Sequence, residues 1–308
     1  MTCVISLVTP AFAVVVGDRR VSLLRNRLVD RVHSHLANKS IVFRATDGIL
    51  SIGYTGVAYM GRQTTDAWIA KVLWGSATWG GGLASTKSVS DAVHRLRKAM
   101  DHHAGARGGL TLLLAGFRSS DRGWTPVNLE LIRAEKASQT RVHGHLRMAR
   151  PLQIFRAIGS PPTLAERTVA QARYLPLGGG VDAERIVDLL AALVRTVAAR
   201  DRGVGVDLMA TIVRPPGHGD TLCRFMPFAG SAPAVSVRVG AMREVEATHH
   251  SPWILTQVYA SPPASVHAGS GYWYETPGCN IVVEALQPAT PDEEVFFSWS
   301  LADSAPPP

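Results

Sequence analysis

The chain has 308 residues, 46% of them hydrophobic, and carries a formal net charge of +8 at pH 7. This length and composition predict a globular protein with one large core or two smaller ones, and they argue against general disorder. No apolar run reaches the roughly 18 residues of a membrane-spanning helix, because Asp18 and the arginines after it interrupt the longest one. We therefore expect a soluble protein with no membrane partner.

The first predicted element is a hairpin within the opening stretch MTCVISLVTPAFAVVVGDRRVS. Two β-rich runs, Cys3–Val8 and residues 12–16, are separated by Thr9-Pro10. The alternative is an export signal, which is disfavoured because no Lys or Arg precedes the apolar run. On the hairpin interpretation, Thr2 lies at the start of a strand.

The rest of the first 214 residues alternates groups of strands with groups of helices. Hydrophobic periodicity predicts strands at 40–43 and 49–54, helices at 59–74 and 88–102, strands at 110–117, 127–133 and 153–158, helices at 163–174 and 182–200, and a strand at 206–213. Asp182 is the expected N-cap of the last helix. This order predicts an α+β fold, a four-layer αββα sandwich in which two antiparallel sheets lie between helical layers.

The composition changes at Pro215, where Pro, Gly, Ser and His become frequent. β-rich runs at 235–239, 253–259, 280–285 and 294–299 predict that residues 215–308 form a β-rich C-terminal extension with a disordered Pro-rich tail. The extension has a net charge of −6, and the domain at residues 1–214 has +14. We expect the extension to dock on the basic domain of its own or a neighbouring subunit; the alternative is an independent module on a flexible linker.

Several other kinds of site have little support in the sequence. The basic residues are not interleaved with aromatic ones, so no nucleic-acid partner is expected. The odd number of cysteines, without metal-type spacing, fits a reducing compartment, and we expect a cytoplasmic location. Two glycine triplets lack the Lys-Ser/Thr of a phosphate loop, and the histidines lack metal-ligand spacing, so we expect no cofactor and no metal. These residues are Cys3, Cys223 and Cys279, glycines 80–82 and 178–180, and His102, His103, His143, His145, His218, His249 and His250.

Five short motifs follow Thr2 along the chain. They are Gly17-Asp18-Arg19-Arg20-Val21-Ser22, Asn38-Lys39-Ser40-Ile41-Val42-Phe43, Gly53-Tyr54-Thr55-Gly56-Val57-Ala58, Ile158-Gly159-Ser160 and Arg200-Asp201-Arg202-Gly203-Val204-Gly205-Val206-Asp207. Their order, and the sixteen-residue step from Thr2 to Asp18, resemble the N-terminal nucleophile hydrolases of the proteasome β-subunit and bacterial HslV type. The resemblance covers roughly residues 2–213 and leaves the C-terminal extension unexplained.

The chemistry of these residue types points to the same site. Removal of Met1 would place the α-amino group of Thr2 beside its own hydroxyl, which combines a nucleophile with a base. The ordinary pKa of an α-amine is ~7.7 to 8, so a modest downward shift makes it a usable base at neutral pH. Lys39 is the candidate cation for this shift, and Asp18 would hold Lys39 charged and in place.

The resemblance implies that Thr2 is nucleophile and base, that Asp18 and Lys39 activate it, and that two further residues support the amine. These supporting residues are Ser160 and Asp201.

The resemblance also implies how a substrate is held. The N–H of Gly56 resembles the oxyanion donor. Ser22 and Ala58 match positions whose backbone pairs with an extended substrate, and Tyr54 matches the floor of the primary specificity pocket. Members of this family enclose their sites in rings, so a ring-like homo-oligomer is expected, and the sequence leaves open whether an ATPase partner exists.

The sequence departs from the family pattern at two points. The family usually has a serine three residues after the aspartate at position 201, where this chain has Val204. Lys39 lies five residues later relative to Asp18 than expected, which requires a longer hairpin through residues 25–35. Cys3 is an alternative nucleophile, but its spacing to Asp18 is wrong by one, and we expect it to be buried in the strand.

The sequence therefore predicts an N-terminal threonine hydrolase that cleaves peptide or other amide bonds through an acyl-enzyme, without a cofactor. Two alternatives stay open: a small-molecule amidase of the same fold, and a catalytically silent subunit used for assembly or binding. Val204 favours the silent subunit, whereas Thr2, Asp18 and Lys39 together favour catalysis.

Overall fold

The structure is a computed structural model, and it describes residues 2–25, 28–34, 37, 39–60, 63–74, 88–102, 109–135, 137, 139–145, 154–174, 182–219, 221–226, 253–255, 260–261, 274–276, 279–286 and 295–301. These residues form nineteen strands and four helices. In chain order they are β1 Cys3–Val8, β2 Ala13–Asp18, β3 Val21–Arg25, β4 Leu28–Ser34, β5 Ser40–Ala45, β6 Gly48–Gly56, β7 Tyr59–Met60, β8 Gln63–Thr64, α1 Thr65–Trp74, α2 Val89–His102, β9 Leu110–Ser120, β10 Gly123–Arg133, β11 Arg141–His145, β12 Ile154–Gly159, α3 Leu164–Tyr174, α4 Ala183–Arg200, β13 Leu208–Val213, β14 Thr221–Met226, β15 Trp253–Leu255, β16 Ala260–Ser261, β17 Tyr274–Thr276, β18 Cys279–Leu286 and β19 Val295–Leu301.

Most strands belong to two large sheets. Sheet I has eight strands in the order β12-β1-β2-β13-β14-β19-β18-β17, and its neighbours are antiparallel. Sheet II has seven strands in the order β11-β10-β9-β6-β5-β15-β16. Its neighbours are antiparallel except for β5 and β15, which run parallel. The pairs β3-β4 and β7-β8 form separate two-stranded ribbons.

Three buried clusters of apolar side chains hold these layers together. Alternate residues of a strand point to opposite faces, so each sheet contributes to two of the clusters. Ile5 and Val14 of sheet I pack in one cluster with apolar residues of α4, such as Leu190. A second cluster joins the facing sheets, with Val4 on one side and Leu113 on the other. The third cluster covers the opposite face of sheet II, and it contains these members among others: Phe43, Ile52, Ile69 and Leu96.

The structure confirms the predicted α+β fold with two sheets and four helices among the described residues. Helix α4 begins where the sequence places it, and the Asp182 side chain accepts a hydrogen bond from the Glu184 N–H at 3.4 Å. The helix expected at 59–74 begins at Thr65 instead, because β7 and β8 occupy its first part as a small ribbon. The longer hairpin expected before Lys39 is present as β3 and β4.

The described strands of the C-terminal extension continue both sheets. β14 pairs with β13 on one side and with β19 on the other, so the chain position 214/215 falls between two neighbouring strands of sheet I. β15 adds to sheet II beside β5. The run predicted at 235–239, the glycine triplets and the tail at 302–308 lie outside the described residues.

No helix within the described ranges combines the length and hydropathy that a bilayer crossing needs.

Candidate active site

Thr2 lies where sheet I meets sheet II. It directly precedes β1, whose neighbours in sheet I are β12 on one side and β2 on the other. β2 ends at Asp18, and Lys39 directly precedes β5 of sheet II. The side chains of Thr2, Asp18 and Lys39 are 6%, 0% and 4% exposed. Strand register therefore brings together three polar residues that are far apart in the sequence and removes them from water.

The Lys39 ammonium joins the other two side chains. Its Nζ donates to Thr2 Oγ1 at 2.9 Å and to Asp18 Oδ2 at 3.1 Å. It also donates to the backbone carbonyl of Arg20. With three acceptors around a tetrahedral ammonium, Lys39 is held in one orientation. The threonine hydroxyl thus lies within direct hydrogen-bond reach of a fixed lysine side chain.

Backbone groups fix the Asp18 carboxylate. Its Oδ1 accepts from the N–H of Cys3 at 2.8 Å, and its Oδ2 accepts from the N–H groups of Arg20 and Gly205, each at 3.0 Å. A buried carboxylate needs such partners, since each unmatched polar group in the core costs free energy. Asp18 is therefore an anchor for Lys39, held by three separate segments of the chain.

Burial lowers the pKa of the Lys39 ammonium below its ordinary value near 10.5, and desolvation is the largest cause. The nearby positive charge of Arg20 acts in the same direction, while Asp18 opposes it through its charge and its hydrogen bond. The net effect is a lysine that releases its proton more readily than a lysine in water.

Ser160 and Asp201 lie beside Thr2 on the side of β12. The N–H of Ser160 donates to the carbonyl oxygen of Thr2 at 2.8 Å, and the Ser160 hydroxyl donates to Asp201 Oδ2. Asp201 Oδ1 accepts from the N–H of Gly203 at 2.8 Å. Ser160 therefore contacts Thr2 directly and Asp201 contacts Ser160, on the opposite side of β1 from Asp18.

Gly159 allows this close packing. Its φ is +84°, and a Cβ placed there would lie 1.9 Å from the carbonyl oxygen of Thr2. The same Cβ would lie 3.0 Å from Oγ1 of Thr55, a residue that sequence reasoning did not assign. The alternation of β6 was the available signal, since Tyr54 packs toward the helices and its neighbour Thr55 must face the other way.

Gly56 ends β6 at an exposed position. Its φ is +110°, and a Cβ there would lie 1.9 Å from the carbonyl oxygen of Gly109. An N–H at an exposed strand end one residue after Thr55 suits the expected oxyanion donor. Its role in binding an oxyanion stays a prediction.

The three residues expected to bind substrate occupy different surroundings. Ser22 lies on β3 and is half-buried. The carbonyl oxygen of Ala58 already accepts from the N–H of Thr65 at 3.0 Å. Tyr54 is buried in the core cluster between sheet II and the helices α1 and α2, and burial raises the pKa of its phenol well above the usual range. The substrate-binding roles of all three stay predictions.

Val204 and Cys3 both lie in the apolar cluster between sheet I and α4. Val204 is fully buried and its N–H donates to the carbonyl oxygen of Asp201 at 3.0 Å, so an isopropyl group fills this position three residues after Asp201. Burial raises the pKa of the Cys3 thiol far above its ordinary value. A thiol that resists ionisation is a poor nucleophile, and it packs here as an apolar group.

Within the described residues, no group of three or more His, Cys, Asp or Glu side chains is arranged to hold a metal ion. His103, His249 and His250 lie outside the described residues.

Comparison with known proteins gives similarity in solved structures alone. No family model matches the chain, and no curated protein matches it. Anbu from Hyphomicrobium sp. strain MC1 is 10% identical, with a TM-score of 0.48, and the match covers 70% of this chain and 82% of that one. Anbu from Yersinia bercovieri, described as an ancestral β-subunit, is 13% identical, with a TM-score of 0.42 and coverages of 70% and 81%. A helical assembly of the Anbu complex from Pseudomonas aeruginosa is 13% identical, with a TM-score of 0.45, and the match covers 70% of this chain and 82% of that one.

These comparisons correct one prediction from the sequence. The expectation that the chain is a proteasome β-subunit or HslV-type family member is wrong, because the similar structures named above are Anbu proteins, at 10–13% identity and TM-scores of 0.42–0.48. The motifs that suggested the family are short and describe the surroundings of Thr2. Local spacing of this kind constrains a site more strongly than it constrains a family.

Proposed function

We propose that this protein is an N-terminal threonine hydrolase that cleaves peptide or other amide bonds through an acyl-enzyme. The observation that carries the proposal is the buried contact of Lys39 Nζ with both Thr2 Oγ1 and Asp18 Oδ2. A buried lysine donating to a threonine hydroxyl has no need to be there for packing, and such perturbed groups concentrate at functional sites.

In the proposed mechanism the mature chain begins at Thr2, and its α-amine is the general base. The amine takes the proton of Oγ1 while Oγ1 forms a bond to the carbonyl carbon of the substrate. The resulting oxyanion accepts a hydrogen bond from the Gly56 N–H. The ammonium then gives its proton to the leaving nitrogen as the C–N bond breaks, which leaves an ester on Thr2. Water, deprotonated by the same amine, hydrolyses that ester and restores the site.

Lys39 makes the amine and hydroxyl usable at neutral pH. Its positive charge disfavours protonation of an amine nearby and favours developing negative charge on Oγ1. Asp18 keeps the ammonium in place through the contact at 3.1 Å. Both residues thus act on Thr2 before any substrate binds.

The substrate class in this proposal is a peptide or another amide. An extended chain would pair with backbone groups of Ser22 and Ala58, with Tyr54 below its primary side chain. At Ala58 the N–H is the group left for this pairing, since the carbonyl oxygen already accepts from Thr65.

We further propose a cytoplasmic, ring-like homo-oligomer. Leu164 and Val169 on α3 are 72% and 70% exposed, and apolar side chains of this size are often covered in assemblies.

The layer order supports the proposed αββα sandwich. One buried cluster joins helices to sheet I, a second joins sheet I to sheet II, and the third joins sheet II to helices. A domain at 1–214 with an extension at 215–308 remains the proposed division, although strands of both parts share the two sheets.

A second candidate is a catalytically silent subunit used for assembly or binding. Val204 favours it, because a fully buried apolar side chain replaces a hydroxyl that the sequence resemblance placed near the amine. If the protein is such a subunit, the side chains around Thr2 keep their arrangement but the protein turns over no substrate.

Intact-mass measurement of the purified protein, before and after incubation with an electrophilic peptide, tests the proposal. The expected result is a chain that begins at Thr2 and gains one adduct, mapped to Thr2 by fragmentation. The matched control is Thr2→Ala, which should gain none. A chain that begins at Thr2 but neither forms the adduct nor cleaves peptide amides would support the silent subunit instead.

A further inference from the structure

Glu166 and Arg200 form a bidentate ion pair that joins the start of α3 to the end of α4. Arg200 Nε donates to Glu166 Oε1 at 2.9 Å, and Arg200 Nη2 donates to Glu166 Oε2 at 3.3 Å. The same Nη2 donates to the carbonyl oxygen of Pro161 at 2.8 Å. Paired contacts of a guanidinium with a carboxylate fix orientation as well as distance. We call Glu166, Arg200 and Pro161 the clamp.

A capping box holds Glu166 in position for this contact. The N–H of Thr163 donates to Glu166 Oε2 at 2.6 Å, and the N–H of Glu166 donates to Thr163 Oγ1 at 3.2 Å. This reciprocal pair is a common way to begin a helix, and it restricts the rotamer of the glutamate. The clamp is therefore more ordered than an isolated pair of long side chains on a surface.

The clamp lies one residue away from the pair that supports Thr2. Pro161 follows Ser160, and Asp201 follows Arg200. Ser160 in turn donates to Asp201 through its hydroxyl and to the carbonyl oxygen of Thr2 through its N–H. Hydrogen bonds from Glu166 to Arg200 and from Arg200 to Pro161 are therefore joined by single peptide bonds to Asp201 and to Ser160, which touches Thr2.

The charge of one clamp residue, Arg200, also acts on the residue next to Thr2. The charge of Arg200 lowers the pKa of the Cys3 thiol and that of Asp201 raises it, although both are smaller influences than burial. Cys3 is the residue next to Thr2, so these charges lie close enough to influence the electrostatic potential at the start of β1. Within the clamp, the contact with Arg200 lowers the pKa of Glu166, which keeps the carboxylate ionised.

We propose that Glu166 and Arg200 are positioning residues that hold the Ser160–Asp201 pair against Thr2, an inference that rests on the proposed hydrolase function. They act through Ser160 and touch no substrate. Small displacements of groups at a reacting centre reduce rates far more than they reduce stability. Loss of the clamp therefore lowers the acylation rate of Thr2 while the fold survives.

A double-mutant cycle tests this proposal. The rate of acylation of Thr2 by an electrophilic peptide is followed by intact mass in the wild type, Glu166→Ala, Ser160→Ala and the double variant, with melting curves for each. Glu166→Ala should lower the rate about tenfold. In the Ser160→Ala background the same change should cost less than about twofold, because the residue through which it acts is gone. Arg200→Lys, which cannot form the bidentate contact, should lower the acylation rate about as much as Glu166→Ala does.

Asp188→Asn provides the matched control on the same helix. It neutralises one partner of another ion pair, Arg224 Nη1 to Asp188 Oδ1 at 3.0 Å, in the first half of α4. This variant should acylate at the wild-type rate. If Glu166→Ala does not fold, Glu166→Gln or Arg200→Lys replaces it in the double-mutant cycle.

Three results would overturn the clamp proposal: the first is normal acylation by Glu166→Ala and Arg200→Lys, and the other two concern where a loss appears. One is an equal loss for Glu166→Ala in both backgrounds, and the other is an equal loss in Asp188→Asn, since each indicates a general structural effect. Thr2→Ala separates this failure from failure of the proposed function. If Thr2→Ala is inert but Glu166→Ala and Arg200→Lys are normal, the clamp inference alone is wrong; if Thr2→Ala reacts normally, the hydrolase proposal is wrong.

Discussion

The two flanks of Thr2 are built in different ways. On the buried flank, Asp18 and Lys39 are at most 4% exposed and are held by strand register and backbone N–H groups. On the open flank, the buried Ser160 and the half-buried Asp201 lie at the ends of β12 and α4, and the clamp beside them is more exposed, with Arg200 at 44%. The first flank is part of the core and the second is assembled from loops and helix ends.

Because of this difference, we expect a substitution on the buried flank to change activity and stability together, and one on the open flank to change activity alone. Removing one member of a buried ion pair leaves an uncompensated charge, which costs several kcal/mol. Changes in a partly exposed pair cost little stability. Substitutions on the buried flank should therefore affect both activity and folding, whereas substitutions on the open flank should affect mainly activity.

The largest expected effect comes from Thr2, which both flanks serve. Thr2→Ala should lower peptide-amide turnover by about 10⁴-fold or more, since no other nucleophile takes its place. It should remain folded, because the lost hydroxyl leaves Lys39 with Asp18 and the Arg20 carbonyl as partners. Turnover assays and urea unfolding check the two parts. Thr2→Ser, which keeps a hydroxyl, is the control, and undiminished turnover by Thr2→Ala would remove Thr2 from the mechanism.

The next effect concerns the lysine of the buried flank. Lys39→Arg should lower kcat/KM by about 10³-fold, roughly 4 kcal/mol of transition-state stabilisation, and Lys39→Ala should do the same. A planar guanidinium cannot replace a compact ammonium that donates to three oxygens at once. Steady-state kinetics on a peptide amide measure it. Normal rates in the arginine variant would show that Lys39 has no catalytic role.

The two aspartates give a direct comparison of stability. Asp18→Asn should lower the free energy of unfolding by about 3–5 kcal/mol, because Lys39 is left buried without its counter-ion. Asp201→Asn, on the open flank, should lower it by less than about 1 kcal/mol. Urea unfolding of both variants provides the measurement. Equal costs at the two positions would contradict the division into flanks.

A smaller effect is expected at Val204. Val204→Ser should lower the free energy of unfolding by about 1–3 kcal/mol, because it places a hydroxyl in an apolar cluster and removes buried methyl groups. Turnover should change less than about twofold. Val204→Ala is the control that removes volume without adding a polar atom. A rise in turnover of about tenfold in the serine variant alone would identify a hydroxyl that the site lacks.

The smallest effect is a dependence of stability on alkaline pH. Burial lowers the pKa of Lys39 in the folded chain, so between that pKa and 10.5 the unfolded chain binds more protons than the folded chain. The contribution of this group to the free energy of unfolding therefore rises as pH rises through that window. Lys39→Met, which does not titrate, should lack this rise when urea unfolding is compared at several pH values. Parallel curves for wild type and variant would show that the pKa is not lowered.

Much of the site was predictable because it depends on residue types at set positions along regular strands. The β-rich run of β1 and the Asp182 cap of α4 are local signals, and both elements appear where the sequence places them. Thr2, Asp18 and Lys39 meet because β1 and β2 form the predicted hairpin and β3 and β4 absorb the extra residues before Lys39.

Long-range pairing was not predictable from the sequence. The β7-β8 ribbon occupies the first part of a predicted helix, and hydrophobic period alone does not predict a pair of strands of two residues each. The clamp joins Glu166 to a residue 34 positions away, and a Thr-x-x-Glu pattern predicts the cap alone. The family assignment failed for a related reason, since five short motifs describe a site and leave the rest of the chain unconstrained.

The parallel contact of β15 with β5 has a consequence for biosynthesis. β5 begins directly after Lys39, and its free edge acquires a neighbour only when Trp253–Leu255 pairs with Ile41, Val42 and Phe43. The ribosome makes that neighbour long after it has made Thr2 and Lys39. Contacts of such high sequence separation form late and slowly. Sheet II is therefore completed only after residues 253–261 have been made, and nascent chains that stop before Trp253 lack the strand that covers β5.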